Sequence, residues 1–352
     1  MKTKKRGLLL LLVLCIIIGG MVTGCGPQST DTADTADAVD AVDTDTEEAD
    51  ADTEEETVEA KQVVILGICM ADISNDYIKI MVEAYKAYLD PLVASGDVEY
   101  SIYDNRNDTA TTINNIETCV TKKMDAVILL TFDKDGANDA VIAAQEAGIV
   151  FVIVNTRISA DTEYVYVGSN DEEAGVFQGE MVNEDLPENA EVCIILGQMG
   201  QASMLTRQEG VHQALAARPD ITILAEQPAD WDRQKGMKLA EDWLSKYSTL
   251  DAIICANDAS ALGAIEACKT AGRLYPEGDV RVYSIDAVPE AVVAVSIGEM
   301  AGTVFQNGIA HSQESARAAI EIVRGVYDGL DIIVPYEPVR ADNAQDYMDV
   351  NK

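Results

Sequence analysis

Val63-Val64-Ile65-Leu66-Gly67-Ile68 decides the architecture. The run is apolar, mostly β-branched and shows no polar alternation, which suits a strand covered on both faces, as in parallel sheets. The next segment has the period of a helix. Tyr77, Ile80, Met81, Ala84, Tyr85, Tyr88 and Leu89 recur at three- and four-residue spacing, while Lys79, Glu83 and Lys86 take the opposite face. Ser74, Asn75 or Asp76 can cap this helix, and Pro91 and Gly96 are expected beyond its end.

The cycle recurs outward from there. Val127–Leu130, Ile149–Val154, Val192–Leu196, Ile221–Leu224, Ala252–Ala256 and Val280–Ile285 are strand candidates, with amphipathic stretches between them. One such stretch sets Ile113, Ile116, Val120 and Met124 against Asn114, Glu117 and Lys123. Alternation of this kind predicts α/β architecture with right-handed βαβ units. There are too many units for one small sheet, so two domains are expected. Ligands of such sheets gather beyond the carboxyl ends of the strands. Polar clusters stand there: Asp72 to Asp76, Asn155 to Arg157, Asn257-Asp258 and Asp286.

The 352 residues carry 61 acids and 25 bases, a net charge of −36. Such a chain lacks the cations that displace counterions from nucleic acid or bind anionic lipid. The charge is also segregated. Lys2, Lys4, Lys5 and Arg6 precede an unbroken apolar run from Leu8 to Ile18, the layout of a secretory signal and too short for a stable span. It ends in Val22-Thr23-Gly24-Cys25, which resembles a bacterial lipobox. Residues 1–24 therefore read as a signal peptide, with Cys25 as the lipidated mature N-terminus on the outer face of the cytoplasmic membrane. Residues 25–60 read as an acidic tether, since 26–60 hold 14 Asp or Glu, no Lys or Arg and almost no large apolar side chain.

Much chemistry is missing. Neither GxGxxG, GxxxxGK[ST] nor GxSxG occurs. The two histidines, His212 and His311, fall inside expected helices and read as surface or core residues, so neither a metal nor a cofactor is implied. Cys69, Cys119, Cys193, Cys255 and Cys268 form no CxxC pair and read as buried thiols. Asp133-Lys134-Asp135-Gly136 has its glycine too early for a calcium loop and reads as a turn leading into a helix.

Gln227-Pro228-Ala229-Asp230-Trp231-Asp232-Arg233 carries the functional signal. A polyhydroxylated ligand needs a flat apolar surface for its C–H faces and planar polar groups that meet neighbouring hydroxyls in pairs. With this stretch and the strand-end clusters, residues 62–340 resemble the ribose/galactose-type periplasmic sugar-binding proteins of ABC transporters. The resemblance implies that Trp231 stacks on the sugar ring. It assigns Asn257, Asp286, Gln306 (ending Gly302-Thr303-Val304-Phe305-Gln306) and Arg207 to ligand contact, with a structural salt bridge as the alternative for Arg207. Asp258 would cap the following helix, and Trp243 would be core. In the N-terminal half the match is looser: Asn75 and Tyr77 follow strand 1, but Ile78 replaces a second aromatic. Arg157 matches the family arginine, while Thr156 replaces a carboxylate and Thr131 stands where a binding asparagine is often found. These departures speak against ribose while keeping a monosaccharide or polyol.

The implied fold is periplasmic-binding-protein-like type I, α/β, with two doubly wound parallel-sheet lobes joined by a three-segment hinge. The expected lobes are 61–169 with 307–336, and 170–306 with 337–352, crossing near Ser169, Gln306-Asn307 and Tyr336-Glu337. The implied function is a monomeric, non-enzymatic, extracytoplasmic solute-binding lipoprotein. It would deliver its ligand to the permease of an ABC importer, with no nucleic-acid partner and with membrane attachment only through the lipid. The alternative is a receptor of the same fold that reports sugar or autoinducer occupancy to a membrane signalling protein.

Overall fold

The structure is a computed structural model and describes residues 63–350; the signal peptide, Cys25 and the acidic tether lie outside the described residues. The first half runs β1 (Val64–Met70), α1 (Asp76–Ala94), β2 (Val98–Asp104), α2 (Thr109–Thr121), β3 (Ala126–Leu129), α3 (Asn138–Glu146), β4 (Val150–Asn155) and β5 (Val165–Gly168). The chain continues through α4 (Asp171–Asp185), β6 (Glu191–Leu196), α5 (Ala202–Leu215), β7 (Thr222–Pro228), α6 (Arg233–Lys246), β8 (Leu250–Cys255), α7 (Asp258–Ala271), β9 (Arg281–Tyr283), α8 (Pro289–Ser296) and β10 (Thr303–Phe305). It closes with α9 (Gly308–Val323), β11 (Ile332–Ile333), β12 (Glu337–Val339) and α10 (Ala344–Tyr347).

Two parallel sheets result, ordered β11-β5-β4-β3-β1-β2 and β7-β6-β8-β9. Each starts with an inner strand, steps outward once and then reverses, so each has a topological switch point, at β1/β3 and at β6/β8. Loops diverge at such points and leave a crevice at the carboxyl ends of the strands. Strands β10 and β12 form a separate antiparallel pair beside the second sheet, bridged to it at Tyr283–Gly302 and Asp286–Phe305; the chain leaves the first sheet after β5, returns to it between β10 and α9, and leaves it again between β11 and β12. Helix α9 packs back on the first sheet's α1, where Tyr85 Oη lies 2.6 Å from Ser315 Oγ and the Ser312 hydroxyl donates to the Met81 carbonyl at 3.0 Å.

Several local expectations change. Pro91 lies inside α1, in its last turns, where the helix survives the missing N–H because Leu89 and the residues before it are anchored in the core. Asn75 is the N-cap, accepting from the backbone N–H groups of Tyr77 and Ile78 at 3.0 and 3.2 Å. Strand β2, Val-Glu-Tyr-Ser-Ile-Tyr-Asp, was invisible as an apolar run because it is a half-exposed edge strand. Asp258 does not cap α7. Asn257 does so, accepting from the Ser260 N–H at 3.3 Å, and this releases Asp258 inward to the Val288 N–H (2.7 Å) and the Thr303 hydroxyl (2.8 Å). Trp243 is core, and the five body cysteines are buried thiols.

Helices α4 and α5 pack backbone to backbone through a reciprocal pair of glycines. A Cβ on Gly175 would collide with the Arg207 carbonyl, and one on Gly210 with the Glu172 carbonyl. That closeness sets the Arg207 side chain against Asp171. Gly210→Ala is therefore expected to lower stability by about 1–3 kcal/mol, the usual cost of overpacking a filled contact, as read from the midpoint of urea unfolding.

Candidate functional site

A cavity of about 210 Å³ opens where the carboxyl ends of both sheets face each other. The loop after β1 supplies Asp72 and Asn75, the first turn of α1 supplies Tyr77, and the end of β4 supplies Asn155; from the segments after β6, β7, β8 and β9 come Gln201, Trp231, Asn257 and Asp286. The backbone here is held in unusual shapes. Asn107, Asn155, Asp230, Trp231 and Asp286 all have positive φ, at 48°, 66°, 51°, 63° and 126°, and all line the cavity. Side chains other than glycine sit there only at a cost of order 1–3 kcal/mol each, and such strain gathers at ligand-binding positions.

Trp231 is half-buried and is held from two sides. Its indole N–H donates to Gln201 Oε1 at 2.6 Å, and its ring lies on Gly197, where any Cβ would meet it. The Arg207 guanidinium stands 5.5 Å from its ring centroid. Asn75 spends its carbonyl on the helix cap, which leaves its amide N–H groups for the cavity. Asn257 likewise spends its carbonyl on Ser260 and donates to the Trp231 carbonyl at 3.3 Å.

The floor is a buried polar cluster around Arg207. Its Nε donates to Asp171 Oδ1 at 3.0 Å, and Nη1 to the Ala256 carbonyl at 2.8 Å. Its Nη2 donates to Gln306 Oε1 at 3.1 Å and to Tyr336 Oη at 3.0 Å. Asp286 Oδ1 is 3.6 Å from Nη1. Gln306 in turn donates to Asn155 Oδ1 at 2.7 Å, and Tyr336 donates to Asp171 at 2.7 Å. Burial opposes the charge on Arg207, but Tyr336, Asp171 and Asp286 outweigh it and hold the guanidinium protonated. Burial raises Asp286 well above the usual carboxylate range and pushes Asp258, behind it, up to about 7.

Of the residues expected from sequence, Asn75, Tyr77, Arg207, Trp231, Asn257, Asp286 and Gln306 come together around this cavity. Arg157 does not. It is exposed, donates to Asp331 at 2.9 Å and lies 3.8 Å over the Tyr166 ring. The strand-end position belongs to Asn155, whose left-handed backbone turns its amide toward Gln306, while Asp331 and the Tyr166 face draw the arginine outward. Thr131 is buried outside the cavity wall. Sequence reasoning missed Gln201, Asp171 and Tyr336. Gln201 follows β6 at the carboxyl end and could have been found by that placement; Asp171 and Tyr336 act only across sheets. Among the described residues no group of three or more His, Cys, Asp or Glu could hold a metal ion, and no helix is long and apolar enough to cross a membrane.

The family model for the periplasmic binding protein domain matches residues 66–326. A putative rhizopine-binding protein of Rhizobium meliloti is 31% identical over 260 residues, covering 72% of this chain and 84% of the relative. A xylitol-binding protein of Mycolicibacterium smegmatis is 25% identical over 279 residues, 79% of this chain and 77% of the relative. The crystal structure of an ABC transporter solute-binding protein from Bacillus halodurans with bound myo-inositol is similar at a TM-score of 0.77 and 29% identity, covering 82% of this chain and 99% of that one. The chain belongs to the periplasmic binding protein family, whose members are extracytoplasmic binding proteins.

One buried group behind the wall makes a pH signature. His311, fully buried, lies 2.9 Å from both Tyr77 Oη (through Nδ1) and Ser169 Oγ (through Nε2). Burial, helped by the charge on Arg207, lowers its pKa from 6.5 to about 3. A depressed histidine binds its proton in the unfolded chain first, so its contribution is complete above about pH 6.5 and is lost as pH falls toward 3. Asp258, raised to about 7, and Asp286, also raised, work in the opposite sense over much of the same range, so the contributions must be separated by substitution. His311→Gln is expected to flatten the loss of stability between pH 6.5 and 3 by up to about 1.4 kcal/mol per pH unit, measured by urea titrations across that range. Parallel pH curves for the two proteins would exclude a neutral buried His311.

Proposed function

We propose that this protein captures a monosaccharide or polyol in the cleft between its two sheets and delivers it to an ABC importer. The observation that carries the reading is the wall itself: an indole fixed by Gln201 and Gly197, facing planar amides and a carboxylate at the switch points of two sheets. Its volume of about 210 Å³ lies below the ~300 Å³ at which drug-sized pockets begin and suits a single ring or a short polyol. The relatives named for xylitol and rhizopine and the solved structure with myo-inositol support the class. The lobes take residues 61–169 with 307–336, and 170–306 with 337–352, so that the crossing residues Gln306 and Tyr336 sit on the hinge and touch the floor at Arg207.

Asn75, Tyr77, Arg207, Trp231, Asn257, Asp286 and Gln306 form the contact set, and Arg157 drops out of it. Trp231 supplies the stacking face. The task is capture and release, and it requires no bond to be broken. We further propose attachment to the outer face of the cytoplasmic membrane through a lipidated Cys25, on the strength of the leader and the lipobox-like Val22-Thr23-Gly24-Cys25. A second acyl chain would make that attachment stable. The body works as a monomer.

A thermal-shift panel of pentoses, hexoses and cyclitols tests the ligand class. A true ligand at 100 times its Kd adds about 2.7 kcal/mol of stability. Silence across the panel would sink the sugar reading. With the ligand in hand, Trp231→Ala is expected to weaken binding by about tenfold while the protein stays folded, as measured by titration calorimetry. Cys25→Ala is expected to release the protein into the soluble fraction, and continued membrane retention would refute lipidation.

A further inference from the structure

The described residues hold five cysteines, all of them buried. An extracytoplasmic chain folds in oxidising surroundings, where disulfides form and persist. Two of the five are placed as partners. Cys69 stands on β1 and Cys119 on α2, both wholly buried in one apolar cluster with Ile116, Met124, Val127 and Leu129. Each thiol hydrogen-bonds to the other. The strand makes room for this pair. Gly67 lies two positions before Cys69, hence on the same face of β1, and a Cβ there would stand 2.5 Å from the Cys119 sulfur. The Cys119 sulfur therefore rests directly on the strand, beside the Cys69 side chain. Cys193 and Cys255 answer other groups, the Ala225 backbone and the Ser260 hydroxyl.

We propose that Cys69 and Cys119 are joined by a disulfide in the exported protein, a redox-sensitive staple between α2 and the inner strand that carries the first cavity loop. The oxidant is a disulfide, on a protein or a small thiol. The Cys119 sulfur attacks it as the thiolate, forms a mixed disulfide and expels one thiol. The Cys69 thiol then loses its proton, attacks the Cys119 sulfur and expels the second. Two cysteine thiols and one disulfide become one protein disulfide and two thiols, and two electrons pass from the pair to the oxidant. The surroundings favour this order. The hydrogen bond from Cys69, and after it the charge of Lys122, lower the Cys119 pKa, whereas the bond to Cys119 and burial raise Cys69.

Exchange needs access to buried sulfur, and α2 provides it. Thr112, Ile116 and Cys119 are its buried residues, so few contacts hold this helix on the sheet while the chain folds. The same thin stripe gives the bond its effect. It closes a loop of about 50 residues, of a length at which a disulfide strongly restricts the unfolded chain. It also fixes the helix that follows Asn107, a residue of the cavity wall. The staple rests on the place of the family outside the cytoplasm and not on the identity of the ligand, so its failure leaves capture of a sugar or polyol standing.

The test uses full-length protein recovered from the envelope of an exporting host and alkylated in denaturant without reductant. Tryptic mass spectrometry is expected to find peptides 62–79 and 107–122 linked, with the other three body cysteines alkylated. Dithiothreitol is expected to lower the thermal midpoint by roughly 5–10 °C, the size that a loop of this length implies. In Cys69→Ala and Cys119→Ala the midpoint is expected not to move with reductant, wherever the substitution has set it. Alkylation of all five body cysteines overturns the inference, and so does a bond between Cys255 and Cys268 in place of this one. A linked pair whose reduction leaves the midpoint unchanged overturns the staple, as does a reductant shift that persists in both variants.

Discussion

Everything in the cleft depends on one guanidinium taken out of water. Arg207 on α5 binds α4 through Asp171, the end of β8 through the Ala256 carbonyl, and two of the interlobe crossings through Gln306 and Tyr336. A charge this buried is tolerable only with its donors satisfied and carboxylates close by. The requirement runs both ways. Satisfying Arg207 fixes the crossings against the floor, and the crossings can reach it only because the Gly175–Gly210 contact brings α4 and α5 together. The cavity wall therefore stands on an electrostatic knot that belongs to neither sheet alone.

The wall is built on strained backbone. Positive φ at Asn155, Asp230, Trp231 and Asp286 turns side chains across strand ends where regular geometry would run them along the strand. The strain is held by the neighbours: Trp231 by Gln201 and Gly197, Asn155 by Gln306, and Asp286 by its backbone bond to Val304 and its approach to Arg207. Such a site is pre-organised, and a ligand need not meet the cost of shaping it. Behind the wall, neutral His311 ties the Tyr77 hydroxyl to Ser169 at the first crossing, so even the aromatic side of the cleft is referred to the hinge.

Much of this was legible in the chain. Strands covered on both faces read as uninterrupted apolar runs, and β1, β3, β4, β6 and β8 were found that way. Strand β2 escaped because an edge strand lies half in water and mixes Glu99, Ser101 and Asp104 with its apolar residues. Seven of the eight ligand-contact positions drawn from the sequence gather at the cavity, since strand-end residues are placed by the period of the fold. Arg157 failed for a reason local spacing cannot carry. A long flexible side chain goes to the best partner within reach, and that partner, Asp331, lies 174 positions away. Asp258 failed by one residue, because either Asn257 or Asp258 could cap α7 and only the packing of Val288 and Thr303 selects between them.

The sequence by itself determined the alternation of strand and helix, the family resemblance and the residue types at the strand ends, because each is written in local period and composition. The tertiary structure alone decided which charges answer one another. Arg207 hydrogen-bonds four partners at separations of 36 to 129 positions and also pairs with Asp286, and Arg233 is turned outward to Glu266 and Glu290. Burial sets that balance, and it exists only once distant segments have closed around the same small volume.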